Sequence, residues 1–162
     1  ERWTGYNCKP IKTQFDAPST ALNFSPQEKE ENPIIDQDDC LVFDAEYAMR
    51  LANNKLDLAT DMFSMLLKSL TNDLLEVESL WQKQQQAPLL QLIHKIHGAT
   101  RYCGTPCLMH TMEQLETALK NSDLVDCDEL YQQAIQSIIR LQQWAQENPW
   151  QEKLKALEQD LA

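Results

Sequence analysis

The residues best suited to chemistry lie between Leu92 and Gly104, in the run LIHKIHGATRYCG. Two histidines stand three positions apart there, and Gly98 follows the second inside an apolar pattern of helical spacing. A glycine in a helix interior costs about 0.5–1 kcal/mol relative to alanine, so its presence needs a reason other than helix stability. We infer that something polar approaches the helix here and that bulk at position 98 would obstruct it.

Drawn as a helix at about 100° per residue, this run has two faces. The predicted core face holds Leu92, Ile93, Ile96, Ala99, Thr100 and Cys103. Residues three, four and seven positions apart share a side of a helix, so the opposite face forms one solvent-facing patch. That patch consists of His94, His97, Gly98 and Arg101.

An exposed imidazole is largely neutral at pH 7 and offers one lone-pair nitrogen as a nucleophile. His94 can therefore accept a phosphoryl group, while Gly98 leaves room for the phosphorylated side chain of another protein. His97 and Arg101 would stabilise the charge on the phosphoryl oxygens.

The distribution of charge agrees with this chemistry. The chain carries 25 acidic and 14 basic residues, for a net charge of -11, yet residues 79–112 contain no Asp or Glu. Lys83, Lys95 and Arg101 lie in that window, so we predict a locally positive surface that suits a phosphate or an acidic partner. The alternative is that a Gln-rich loop and an apolar helix simply lack acids.

Two other functions fit the same residues. One is a zinc site, because His94, His97, Cys103, Cys107 and His110 lie within seventeen positions. Zinc needs four converging ligands, whereas Cys103 is predicted opposite the histidines, so we expect no metal site and no special role for His110. The other alternative is a non-catalytic helical docking bundle whose histidines merely lie on an interaction surface.

The pattern His94-Lys95-Ile96-His97-Gly98, followed by Gly104 and Leu108, resembles the signature of histidine phosphotransfer (HPt) domains. A wider match, FDAEYAMRLANNKLDLATDMFSMLL together with IHKIHGATRYCG, resembles the C-terminal HPt domain of BarA/GacS-type hybrid sensor histidine kinases. The resemblance covers about residues 41–146 and implies that His94 is the phosphorylated residue. His97 stands where most HPt domains carry a lysine, and Lys95 and Arg101 are expected to compensate by stabilising the phosphate.

The resemblance implies a phosphocarrier in a multistep two-component phosphorelay. Such a domain accepts a phosphoryl group from an aspartate in the receiver domain of the same parent kinase and passes it to the aspartate of a cognate response regulator. Mg²⁺ then belongs to the receiver and ATP to the kinase domain, so we expect no cofactor in this chain. The chain has neither a GxxxxGK[ST] nor a GxGxxG phosphate loop. The resemblance thus implies a phosphotransfer domain without an ATP site, whose parent protein is a hybrid sensor histidine kinase.

From Leu41 onward the apolar spacing predicts an all-α fold, an antiparallel up-down four-helix bundle with an additional short N-terminal helix. We expect Asp44 to cap that short helix, Asn53-Asn54 to end it, and Asp57 to cap the long helix that follows. Residues 1–40 are assigned to a mostly disordered linker following a receiver domain, 41–147 to the HPt bundle, and 148–162 to a short amphipathic helix. That last helix is expected to pack on the bundle, with binding of a partner or a second copy as the alternative.

Composition argues against other classes of partner. A pI near 4.6 without a basic stripe disfavours nucleic acid. No apolar stretch approaches the roughly 18 residues needed to cross a bilayer, so we expect no direct membrane contact by this chain. The five cysteines are predicted to be reduced thiols, with Cys103 and Cys107 as small apolar fillers, in the cytoplasmic part of an inner-membrane sensor kinase.

Overall fold

The computed structural model describes residues 40–161, and all of the regular structure in this range is helical. The helices are α1 (Ala45–Leu51), α2 (Leu56–Gln82), α3 (Gln86–Thr100), α4 (Pro106–Asn121), α5 (Asp128–Glu147) and α6 (Trp150–Asp160), with a 3₁₀ turn at Leu124–Cys127. The predicted all-α fold is confirmed. None of these helices combines the length and apolar character that crossing a bilayer requires. The predicted linker lies outside the described residues, apart from Cys40.

Helices α2 to α5 form the four-helix bundle. The connections between them span only residues 83–85, 101–105 and 122–127, so successive helices run antiparallel. Helix α3 packs between α2 and α4, and α5 contacts both α4 and α2. The apolar stripes at helical spacing meet in one core, whose largest fully buried side chains include Phe63, Leu70, Ile93, Ile96, Met112, Leu115 and Ile138.

Helix α1 begins where the sequence predicts, because the carboxylate of Asp44 accepts a hydrogen bond from the backbone N–H of Tyr47 at 2.9 Å. The prediction that Asp57 caps α2 is wrong. The cap position is Lys55, whose side chain makes no capping hydrogen bond, and Asp57 lies inside the first turn. A carboxylate there still interacts favourably with the helix dipole.

The turn between α3 and α4 is fastened to the start of α1. The backbone N–H of Asp44 donates to the carbonyl oxygen of Gly104 at 2.9 Å. Gly104 has a φ of +65°, and a Cβ placed on it would lie 2.6 Å from the carbonyl oxygen of Asp44. This close approach and the left-handed backbone both require glycine.

Helix α6 packs against α1 and α2, which confirms the expectation that it packs on the bundle. Trp150 and Leu154 are buried. The ring of Trp150 meets the ring of Phe63 edge-on at a centroid distance of 4.7 Å, and Phe63 contacts Phe43 at 4.4 Å. These aromatic contacts connect α6 to the segment that leads into α1.

Two of the cysteines differ from the expectation of reduced thiols, and Cys8 lies outside the described residues. Cys40 and Cys107 form a disulfide, with a Cα–Cα distance of 5.5 Å, so the expectation is wrong for this pair, as is the assignment of Cys107 as an apolar filler. The reason is the fold, which brings the segment before α1 to the first turn of α4. Cys103 and Cys127 are free and buried, and burial raises the pKa of the Cys103 thiol to about 11.

Candidate functional site

Helix α3 presents its two histidines to different environments. The side chain of His94 is 73% exposed, whereas that of His97 is only 7% exposed. The prediction that both belong to a solvent-facing patch is therefore wrong for His97, and the assignment of Ala99 to the core is also wrong because Ala99 is exposed. Since α3 packs between α2 and α4, its buried arc extends past the apolar residues and takes in His97 at the α4 side.

The two histidines share one carboxylate, contributed by Glu116 in the middle of α4. Nδ1 of His94 lies 2.7 Å from Oε1 of Glu116, and Nδ1 of His97 lies 2.6 Å from Oε2. Nζ of Lys120 donates to Oε1 at 2.6 Å from one turn further along α4. The side chain of Glu116 is only 6% exposed, so its charge is held by these three partners in place of water.

The protonation state of Glu116 determines how the histidines bind it. Burial acts to raise its pKa, but the hydrogen bonds from Lys120, His94 and His97 outweigh burial and lower the pKa to about 2. At neutral pH the carboxylate is therefore ionised and can only accept hydrogen bonds. Both Nδ1 atoms must donate to it, which leaves Nε2 of His94 as the nitrogen directed away from the carboxylate.

The surroundings of His94 leave space for a second molecule. Gly98 lies one turn further along α3, and a Cβ placed on it would meet no atom within 4 Å apart from its chain neighbours and the backbone of its own helix. Nothing within the described chain therefore explains why position 98 is a glycine. Arg101 is exposed at the C-cap of α3, two turns from His94. An exposed Nε2 on an open surface can act as a nucleophile toward a group carried by a partner.

Lys95 is engaged elsewhere. Its ammonium group lies 3.0 Å from Oδ1 of Asp73, a buried carboxylate on α2. Its role toward a phosphate stays a prediction, as does that of Arg101. The fold brings Asp73 and Glu116 next to α3, but both carboxylates are buried and ion-paired, so the locally positive surface stays a prediction.

Glu116 and Lys120 were not among the site residues predicted from the sequence. One signal was available: on α4 the apolar residues Met112, Leu115 and Leu119 mark the core face, and Glu116 falls among them. A carboxylate at a core position needs partners, and Lys120 four residues later is one of them. The other partners come from α3, and helical spacing alone does not reveal which helices become neighbours.

The residues considered for zinc do not come together. Sγ of Cys103 is buried and donates to the backbone carbonyls of Ala99 and Met62, and Cys107 is in the disulfide. His110 is half-buried on α4. Across residues 40–161, no three His, Cys, Asp or Glu side chains are arranged to hold a metal ion.

The site defined by this geometry is an exposed histidine on an antiparallel helical bundle, oriented by a carboxylate on the neighbouring helix. A family model for the Hpt domain matches residues 61–161, which includes α6 and so extends beyond the range of the sequence resemblance. The chain belongs to the Hpt domain family. Membership of this family implies histidine phosphotransfer in a phosphorelay.

Comparisons with individual proteins agree with the family assignment. The chain is 39% identical to the sensor histidine kinase GacS of Pseudomonas protegens over 101 residues, which are 62% of this chain and 11% of that protein. It is 36% identical to the histidine-protein kinase BarA of Escherichia coli K12 over 78 residues, 48% of this chain and 8% of that protein. The chain thus spans about a tenth of these relatives.

A solved structure has the same fold. The crystal structure of the HPT domain from the Hpt sensor hybrid histidine kinase of Shewanella superposes with a TM-score of 0.62 at 27% sequence identity. The match covers 65% of this chain and 92% of that domain. The bundle described above is therefore shared with a known HPt domain.

Proposed function

We propose that this domain is a phosphocarrier: Nε2 of His94 accepts a phosphoryl group from a receiver-domain aspartate and passes it to the aspartate of a response regulator. The observation that carries this proposal is the geometry of His94, whose Nδ1 is held by an ionised carboxylate while its ring lies largely in solvent. Membership of the Hpt family supports the same chemistry.

The transfer step uses groups that the chain supplies. The lone pair of Nε2 attacks phosphorus, an N–P bond forms, and the bond between phosphorus and the aspartate oxygen breaks to release a carboxylate. The imidazole gains positive charge as the N–P bond forms. The proton stays on Nδ1, which continues to donate its hydrogen bond to Glu116. Glu116 therefore fixes the tautomer and stabilises that charge, as a carboxylate does for a histidine in a catalytic triad. Transfer to the response regulator is the reverse of this step.

The remaining predicted residues have supporting roles. His97 helps to fix the orientation of Glu116 from the buried side. Gly98 leaves the surface beside His94 open to the partner's phosphorylated side chain. We further propose that Arg101 and Lys95 contribute positive charge toward the phosphoryl oxygens as the partner docks.

The partners we propose are the receiver domain of the parent kinase and a cognate response regulator. The magnesium ion used in the transfer would be held by the receiver's acidic residues, and this chain would hold no cofactor. We place the domain on the cytoplasmic side, attached to an inner-membrane kinase. Because disulfides are uncommon in a reducing compartment, this placement predicts that the Cys40–Cys107 bond opens there.

The test is phosphoryl transfer from a labelled, phosphorylated receiver domain to wild type, His94→Gln and His97→Gln. We expect acid-labile label on wild type, none on His94→Gln, and slower labelling of His97→Gln. Glutamine keeps the size and polarity of the site, so a helical docking bundle would bind the receiver equally well as wild type and as either variant, and would take up no label. Unlabelled wild type beside an active receiver would refute the phosphocarrier proposal.

A further inference from the structure

The site as described raises an electrostatic problem. A phosphoryl group carries negative charge, and Glu116 places an ionised carboxylate directly behind the ring that must accept it. Like charges separated by the width of an imidazole repel one another, and this repulsion would oppose transfer to His94. A positive charge close to the carboxylate is needed to cancel this repulsion.

Lys120 is the residue placed to supply that charge. Its Nζ lies 2.6 Å from Oε1 of Glu116, the oxygen that also binds Nδ1 of His94 at 2.7 Å. The side chain of Lys120 is 54% exposed, so its ammonium group lies at the surface beside the exposed His94. Lys95 and His97 are not placed to supply this charge. The ammonium group of Lys95 is paired with Asp73 of α2, and His97 is buried and contacts the other oxygen of Glu116.

We propose, on the basis of the function proposed above, that Lys120 is a positioning residue for the transfer: it neutralises Glu116 and so allows a phosphoryl group to approach Nε2 of His94. With Lys120 in place, Glu116 can orient the imidazole without repelling the incoming anion. Because Glu116 is buried, removing Lys120 also takes away one of the three partners of its carboxylate, so some loss of stability is expected as well. The salt dependence of the transfer rate distinguishes the electrostatic effect from this loss of stability.

The size of the effect follows from Coulomb's law. Removing one positive charge at about 7 Å from a doubly charged phosphoryl group, in the dielectric of water, corresponds to a rate lowered about 5–10-fold. The screening length is about 30 Å at 0.01 M salt and about 3 Å at 1 M. The loss should therefore be full at low salt and nearly absent at high salt.

The experiment measures single-turnover transfer from a phosphorylated receiver to the full chain, over a range of receiver concentrations and at low and high salt. The variants are Lys120→Gln and Lys120→Arg, with Lys155→Gln as a matched control. Lys155 is exposed on α6, a helix that packs against α1 and α2. The control thus removes the same charge from a helix outside the four-helix bundle.

We expect Lys120→Gln to lower the rate at saturating receiver about 5–10-fold at low salt, with unchanged half-saturation, and Lys120→Arg to restore the wild-type rate. Three results would overturn the proposal: a wild-type rate for Lys120→Gln at low salt, a loss confined to half-saturation, or an equal loss in Lys155→Gln. Failure of the phosphocarrier function is distinguishable, because wild type would then take up no label at all.

Discussion

Gly98 offers a direct test of how the site is built. It lies in the interior of α3, and a Cβ at this position would meet no atom within 4 Å apart from its chain neighbours and the backbone of its own helix. Gly98→Ala therefore removes the entropic cost of glycine without creating a clash, and we expect a gain of about 0.5–1 kcal/mol in the free energy of unfolding. For a domain of this size the gain corresponds to a rise in Tm of about 2–5 °C.

Gly104 is the matched opposite case. Its φ is +65°, and an added Cβ would lie 2.6 Å from the carbonyl oxygen of Asp44 and 2.8 Å from Cβ of Ala48. A left-handed backbone costs about 1–2 kcal/mol for alanine, and crowding in a packed site adds about 1–3 kcal/mol. Thermal unfolding followed by far-UV circular dichroism should thus move in opposite directions for the two variants. A Tm lowered by Gly98→Ala would refute the view that position 98 faces open space.

The same position tests access to His94. Gly98→Leu places a large side chain one turn from the nucleophile, and because small displacements of reacting groups are costly we expect transfer from the receiver to slow about 10–100-fold. Ala99→Leu is the control, since residue 99 is exposed but lies about 140° around the helix from His94. If Gly98→Leu accepted phosphate as fast as wild type, the proposed access role would be wrong.

Three further outcomes are expected. Between pH 4.5 and 2 the unfolded chain binds a proton at Glu116 that the folded chain does not, so the free energy of unfolding falls as the pH is lowered through this range. In Glu116→Gln, the free energy of unfolding measured with urea should depend less steeply on pH over this range. A pH dependence parallel to that of wild type would contradict the lowered pKa of Glu116. In native chain treated with a thiol reductant at pH 8, Cys103 should be alkylated far more slowly than Cys107, because a pKa of about 11 leaves about one thiolate in a thousand; equal rates by peptide mapping would contradict its burial. Leu154→Ala should cost about 2–5 kcal/mol in denaturant unfolding because Leu154 is fully buried in α6, and a loss below about 1 kcal/mol would indicate that α6 is only loosely attached.

Much of the fold could be predicted from the sequence because helical periodicity is a local signal. Apolar residues three and four positions apart marked each long helix, and Asp44 and Gly104 carry local signals that the structure confirms. The predicted cap of α2 was wrong because the helix begins at Leu56 without a side-chain cap. The general preference for Asp at the N-cap does not reveal such a case.

The site was only partly predictable because it depends on contacts between helices. His94 follows from the local run of residues, since a nucleophile and its neighbouring glycine lie on one helix. The burial of His97 and the contribution of Glu116 depend on which face of α4 meets α3. The disulfide depends on where the segment before α1 lies relative to α4. A pattern within one segment contains no information about those neighbours.

The shared carboxylate sets the smallest unit of this site that could be transplanted. Grafting α3 alone onto another helical protein would carry the nucleophile but would leave its Nδ1 without an acceptor, so either ring nitrogen could hold the proton. Helix α4 must come with it, in the register that brings Glu116 opposite both histidines and Lys120 to the surface. A designed phosphocarrier based on this chain therefore begins from an antiparallel helix pair, and the remaining helices can be exchanged for any scaffold that holds that register.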